Sequence, residues 1–276
     1  MTAEDPTYAL GRTAEEHRRL EQQAALFRPI TERFFRAAGV GPGMRVLDVG
    51  SGAGDVAFLA AELVGPAGEV VGVDADGSAL RTARERARLL GLSNVTFLEG
   101  DIRTADPGRD FDAAVGRLVL LYFADPVEAL AAILAHVRKG GLVAFQEVDM
   151  DPAITSVSYP EDSLWTETGK TIVRVFEGAG VHLRMGRKLL QTFLRAGLSV
   201  PALMVESATG AGPDFLGYAW LADTLRSLTP LAEKLGIANA ADLGLDSLAD
   251  RLREEAVSRE LMVWTGPLVG ASARKS

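Results

Sequence analysis

VLDVGSGAGD, residues 46 to 55, is the stretch whose reading decides the fold. Val46, Leu47 and Val49 form a short apolar run of β-formers bounded by turn residues, which reads as a strand. Gly50, Gly52 and Gly54 follow, with only Ser51 and Ala53 between them. Glycine has no Cβ, so this backbone can take positive φ and approach a ligand closely. A helix beginning near Asp55 points its free amides into the same turn. Further on, VVGVD (70 to 74) places Asp74 at the end of a second strand. A carboxylate there can accept both hydroxyls of a ribose. Together these features point to a ligand that contains a nucleoside.

A nicotinamide-type turn would read G-x-G-x-x-G, its third glycine allowing close packing of helix on strand. Here Asp55 occupies that third position, and an acid would repel a pyrophosphate. The glycines instead fall at every second residue.

Outward from this turn the chain alternates strand and helix. Helix DVAFLAAELVG (55 to 65) is followed by strand EVVGVD and by a second helix for which Ser78 is the expected N-cap. NVTFLEGD (94 to 101) and FDAAVGR (111 to 117) read as strands, DPVEALAAILAHVRKGG (125 to 141) as a helix, and LVAFQEVDM (142 to 150) as the fifth strand. Ahead of them, residues 12 to 38 carry apolar residues at three- and four-residue steps, with a kink or break expected at Pro29. Beyond them, GRKLLQTFLRAGL (186 to 198) reads as a crossover helix, VPALMVESATG (200 to 210) as a sixth strand and ELMVWTGPLVGASAR (260 to 274) as a late antiparallel strand at the sheet edge. Strands alternating with helices mean a parallel sheet covered on both faces. Ligands of such sheets bind outside the carboxyl ends of the strands.

The 276 residues carry a net charge of −8, without a single cysteine. That balance gives no basic face to follow phosphates, so nucleic acid is not expected as a partner. A disulfide framework and a thiolate metal site are excluded. No apolar run of eighteen residues is present, and the polar, acidic start is unlike a secretory signal, so a cytoplasmic protein without a membrane span is expected.

The pattern D-x-G-x-G-x-G, Asp48 through Gly54, resembles motif I of the class I S-adenosylmethionine-dependent methyltransferases. The order of elements is similar to that family over nearly the whole chain. Residues 8 to 74 resemble bacterial methyltransferases related to those of ubiquinone and menaquinone synthesis, a group whose members also modify natural products, indole-type rings among them. The resemblance implies an α/β, Rossmann-like class I fold with a seven-stranded, mostly parallel sheet and helical lid insertions. It implies one domain over 1–276, with an N-terminal helical cover (1–43), a cofactor-binding half (44–150) and lid insertions at 151–183 and 213–259.

It also implies S-adenosyl-L-methionine as cofactor, whose ammonium end tolerates Asp55. Asp48, Gly50, Ser51, Gly52 and Gly54 would lie under its methionine and ribose portions, and Asp74 would hold the ribose. Ala75 and Asp76 would edge the adenine, while Asp101 would accept its amino hydrogen with Ile102 beside the ring. Asp74 could otherwise be a helix cap, and Asp101 a turn former before Arg103. Arg117 would face the cofactor's carboxylate, where a guanidinium makes a good fork; Gln23 or Arg12 from the N-terminal segment could share that task. A surface ion pair is the other reading of Arg117, and a solvated helix face that of Gln23 and Arg12.

Methyl transfer from a sulfonium is an in-line displacement that needs alignment and exclusion of water, and no metal. A base helps where the nucleophile holds a tightly bound proton. The candidates are Glu147 or Asp149 at the fifth strand's end and His182, with Tyr8 closing over the site. Trp165, Phe176, Tyr218 and Trp220 are lid aromatics, either core or a stacking surface for a flat acceptor. The expected reaction methylates a small aromatic or indole-like natural product at carbon or nitrogen. A quinone-ring C-methyltransferase, an O-methyltransferase and a scaffold that merely keeps the cofactor fold are the alternatives. A homodimer is left open.

Overall fold

In a computed structural model, residues 14–151 and 155–276 are described, with side chains from Gln23 onward. Helix α1 (Ala14–Ala38) precedes β1 (Arg45–Val49), α2 (Asp55–Val64), β2 (Glu69–Asp74), α3 (Gly77–Leu89), β3 (Val95–Glu99), β4 (Phe111–Arg117), α4 (Pro126–Leu134) and β5 (Val137–Val148). There follow β6 (Val157–Tyr159), α5 (Leu164–Gly178), α6 (Met185–Arg195), β7 (Ala202–Glu206), β8 (Thr209–Gly210), α7 (Gly217–Lys234), α8 (Ala240–Leu243), α9 (Leu245–Ser258), β9 (Met262–Trp264) and β10 (Leu268–Arg274).

Seven strands form one sheet in the order β3-β2-β1-β4-β5-β10-β7. β1 to β5 pair in parallel, and β10 runs antiparallel to both β5 and β7. Alternate residues of each strand feed opposite faces. Leu47, Val49 and Phe145 join one core with α4 and α6, and Val46, Val115 and Ala144 join the other with α2 and the end of α1. The strand order reverses between β1 and β4, which opens a crevice at their carboxyl ends. Over that crevice α7 packs against α1, α5 and α9, beside a small sheet of order β6-β9-β8. No helix among the described residues is long and apolar enough to cross a membrane.

Several local expectations are corrected. α1 passes through Pro29 without a break. Pro29 and Ala25 are both exposed, so the carbonyl that loses its amide partner meets solvent instead. α4 stops at Leu134, and the expected helical tail belongs to β5. Val137 already pairs with Phe111, while Leu142 pairs with Ala113, so residues 138 to 141 bulge out of the ladder. The expected late strand is two strands separated at Gly266–Pro267, and β10 lies inside the sheet with β7 as its edge. The cap of α3 is Asp76, whose carboxylate accepts the Ser78 amide at 2.9 Å.

Candidate functional site

β1 delivers the chain into a turn in which Gly50, Gly52 and Gly54 all take positive φ (68°, 51° and 93°). Gly50 is required twice over, because a Cβ there would also lie 2.4 Å from Cγ2 of Val119. The turn is fastened to β2. The Gly50 and Ser51 amides donate to the Val73 carbonyl at 2.8 and 3.1 Å, and the Gly52 amide donates to Asp74 Oδ2 at 2.8 Å. Asp74 Oδ1 accepts the Asp76 amide at 2.8 Å.

The turn borders a cavity of about 400 Å³ at the carboxyl ends of β1, β2, β3 and β4. Gly50, Ser51, Gly52, Asp74, Ala75, Asp76, Asp101, Ile102, Arg117 and Gln23, all named from sequence, line it. Gly54 and Asp48 are set back from it. A Cβ on Gly54 would meet the Phe58 ring at 2.6 Å. Asp48 is fully buried. Burial raises its pKa well above the usual carboxylate range, against the pull of Arg117. Asp101 accepts the Arg103 amide at 2.9 Å and pairs with its guanidinium, which holds the carboxyl below its ordinary pKa. It is therefore a turn former and a cavity residue at once.

Arg117 ends β4 and donates to Thr31 Oγ1 at 3.1 Å. Burial lowers its pKa, while Asp55 and Asp48 pull it back up. Asp55 itself is paired with Arg86 at 2.7 Å. Arg117 also borders a second cavity, beside α1 and α2.

The candidate bases are not gathered here. Glu147 is fully buried outside the cavity lining. Its Oε1 accepts the amides of Val119 at 3.0 Å and Leu120 at 2.8 Å. Burial, opposed by these amides, pushes the carboxyl up to about 8. Asp149 is paired with Arg187. His182 reaches the Ala124 carbonyl at 3.4 Å and the Lys188 ammonium at 3.1 Å, away from the cavity. The sequence placed Glu147 and Asp149 at a strand end but could not say which face they take. Tyr8 and Arg12 lie outside the described residues.

The rest of the lining is largely apolar, with the hydroxyl residues Thr155, Ser156, Thr224 and Thr265 among it. Phe27, Val148, Met150, Ile172, Phe176 and Trp220 belong to it, with Phe27 edge-on to Trp220 at 5.3 Å between ring centres. Two of the four lid aromatics thus face the cavity. Trp165 and Tyr218 are core, stacked edge-on at 6.1 Å, and bond to the carbonyls of Trp264 and Gly212. Leu118, Val119, Leu121, Tyr122 and Phe123 of the turn after β4 also line the cavity, and the sequence offers no motif that marks them. Its only signal is Leu118, a non-glycine residue with φ of 57°, which no sequence pattern announces.

A family model described as a methyltransferase domain matches residues 41–196. Aklanonic acid methyltransferase DauC of Streptomyces sp. (strain C5) is 29% identical over 180 residues, 56% of this chain and 82% of that protein. Nocamycin O-methyltransferase of Saccharothrix syringae is 38% identical over 114 residues, 41% of this chain and 40% of that one. The ubiquinone/menaquinone C-methyltransferase UbiE of Pasteurella multocida is 29% identical over 141 residues, 49% and 53% of the two chains. This chain thus spans about half or less of the last two. Among solved structures, the geranyl diphosphate methyltransferase in complex with S-adenosylmethionine superposes with a TM-score of 0.55 at 17% identity, over 97% of this chain and 94% of that one. The [4+2]-cyclase SpnF gives 0.53 at 22%, over 88% and 81%. At these identities the structures share the fold with this chain.

Proposed function

The chain belongs to the methyltransferase-domain family, and from that premise we propose that it methylates a small, flat, largely apolar ring, indole-like and attacked at carbon or nitrogen, with S-adenosyl-L-methionine as the donor. The observation that carries this reading is one cavity with two unlike ends. Carboxylates and a glycine turn line one end, and mainly aromatic and aliphatic side chains, with a few hydroxyls, line the other.

The donor end fits an adenosyl group carrying an amino acid. Gly52 has nothing within 4 Å of where a Cβ would stand, so a ligand can lie against the backbone. Ser51 Oγ is buried and has no partner, a polar atom left to be satisfied. When bound, the donor supplies a methyl group on a positively charged sulfur. Asp74 would accept the ribose hydroxyls. Asp101 and Ile102 would flank the adenine. Arg117, or Gln23 from α1, would take the carboxylate. At the other end Phe27, Phe176 and Trp220 would hold the acceptor ring and exclude water from the displacement. Glu147 and His182 have no part in proton transfer in this reading, since neither borders the cavity. Residues 1–43 would act as the cover, and 151–183 with 213–259 as the lid that sets specificity.

Isothermal titration with S-adenosylhomocysteine tests the donor end: binding supports the reading, and no binding favours a scaffold. Mass spectrometry of indole and other heteroaromatic acceptors incubated with S-adenosylmethionine, read for the gain of one CH₂, tests the acceptor. A quinone ring is the second reading, favoured by the likeness to UbiE. Methylation of a reduced naphthoquinone with no turnover of indoles would select it.

A further inference from the structure

The described cavity walls leave Glu147 without a role in chemistry, yet this buried carboxyl makes a definite set of contacts. The turn after β4 begins with Leu118 in a left-handed conformation (φ 57°), its amide still donating to the Gln146 carbonyl at 2.9 Å. A short 3₁₀ turn, Leu120–Tyr122, follows, and Val119 before it supplies no side-chain cap. The amides at the start of such a turn have no partner within it. Glu147 reaches across from β5 and accepts two of them, from Val119 and Leu120, through Oε1. It is an N-cap supplied by a neighbouring strand.

What it caps touches the donor end. Val119 lies directly over Gly50, so close that no Cβ fits between them. Leu118, Val119, Leu121 and Tyr122 line the same cavity. A shift of this turn therefore moves both the lid of the glycine turn and part of the acceptor wall.

On the reading that the glycine turn holds the donor, we infer that Glu147 is a positioning residue for methyl transfer. It fixes the turn after β4 through the Val119 and Leu120 amides and so seats Val119 on Gly50. The role needs an acceptor oxygen at Oε1, and it needs no charge. Glutamine can supply that oxygen; methionine, of similar length, cannot.

The test uses the full chain with S-adenosylhomocysteine as probe. Glu147→Met is expected to weaken binding about tenfold and to speed hydrogen exchange of the Val119 and Leu120 amides. Glu147→Gln is expected to keep affinity within about threefold and to keep both amides protected. Val119→Ala should weaken binding in the wild-type background and add little to Glu147→Met, the coupling expected of one relay. Tight binding by Glu147→Met overturns the inference, as does loss of binding in a folded Glu147→Gln. If Glu147→Met does not fold, the glutamine variant and the exchange of its two amides still decide. If the wild-type chain itself fails to bind the probe, the donor reading falls, and the capping role is then judged on amide exchange alone.

Discussion

The carboxylate of Asp74 accepts the amide of Gly52 at 2.8 Å, so the residue expected to hold a ribose also anchors the turn that would run beneath it. Its other oxygen accepts the Asp76 amide at the same distance, and Asp76 in turn caps α3. One side chain therefore ties the glycine turn to the start of α3.

Asp74→Ala should accordingly cost both ligand contacts and turn geometry. Affinity for S-adenosylhomocysteine is expected to fall by about 1–3 kcal/mol, the scale for losing a charged hydrogen-bond partner. Asp74→Asn keeps one acceptor oxygen and should lie between the two. Isothermal titration of the three proteins checks the order, and unchanged affinity in Asp74→Ala would remove Asp74 from the ribose site.

Gly50 and Gly52 both sit in the left-handed region, yet their surroundings differ. A Cβ on Gly52 meets nothing within 4 Å, whereas one on Gly50 meets Val119 Cγ2 at 2.4 Å. Gly52→Ala should destabilise by about 1 kcal/mol, from backbone strain alone. Gly50→Ala adds overpacking and should cost about 1–3 kcal/mol more. Urea unfolding of the two variants reads the difference. Equal losses would mean that Val119 moves aside freely.

Much of this geometry is legible in the chain itself. The run from Val46 to Asp74 gives strand, glycine turn, helix and acid-ended strand, because each is written in short-range chemistry: β-formers, residues permissive of positive φ, and a carboxylate at a strand end. The long-range features are not written that way. Nothing local tells β10 to slip between β5 and β7, since the choice of sheet neighbour is made by packing. Arg138 to Gly141 read as a helix end, but pairing of Val137 with Phe111 draws them into a bulged strand. Glu147 stands beside the site in sequence, and its inward turn depends on amides twenty-odd residues away that need a cap. The lid aromatics show the same limit. Trp165 and Trp220 look alike in sequence, and only the packing of α5 and α7 puts one in the core and the other at the cavity.

Arg117 has no described carboxylate within ion-pair distance, although Asp48 and Asp55 bear on it electrostatically. A half-buried guanidinium in that position favours an anionic partner. Arg117→Met should therefore weaken S-adenosylhomocysteine by about 1.5–3 kcal/mol, the range for a hydrogen bond to a charged group. It should leave 5′-methylthioadenosine, which lacks the amino-acid end, within about threefold of wild type. Titration of both ligands against both proteins separates a carboxylate contact from a general loss of structure. Equal weakening of the two ligands would assign Arg117 to the scaffold.

Glu147 also makes stability depend on pH in a direction opposite to the usual carboxylate. Burial pushes its carboxyl up to about 8 from an ordinary 4.5, because the surrounding core penalises the charged form more than the Val119 and Leu120 amides reward it. Between pH 4.5 and about 8 the folded protein holds a proton that the unfolded chain has released. The folded state binds more protons there, so stability falls as pH rises through this window, and the loss is complete above it. Asp48, raised in the same direction by its own burial, contributes with the same sign. Glu147→Gln removes only the first contribution and leaves that of Asp48 in both proteins. The two should match within about 1 kcal/mol at pH 5, and the glutamine variant should be more stable by about 2–4 kcal/mol at pH 8.5. Urea unfolding across that range measures the gap. A gap that stays constant with pH would mean that Glu147 is already ionised in the folded protein, held charged by the amides it caps.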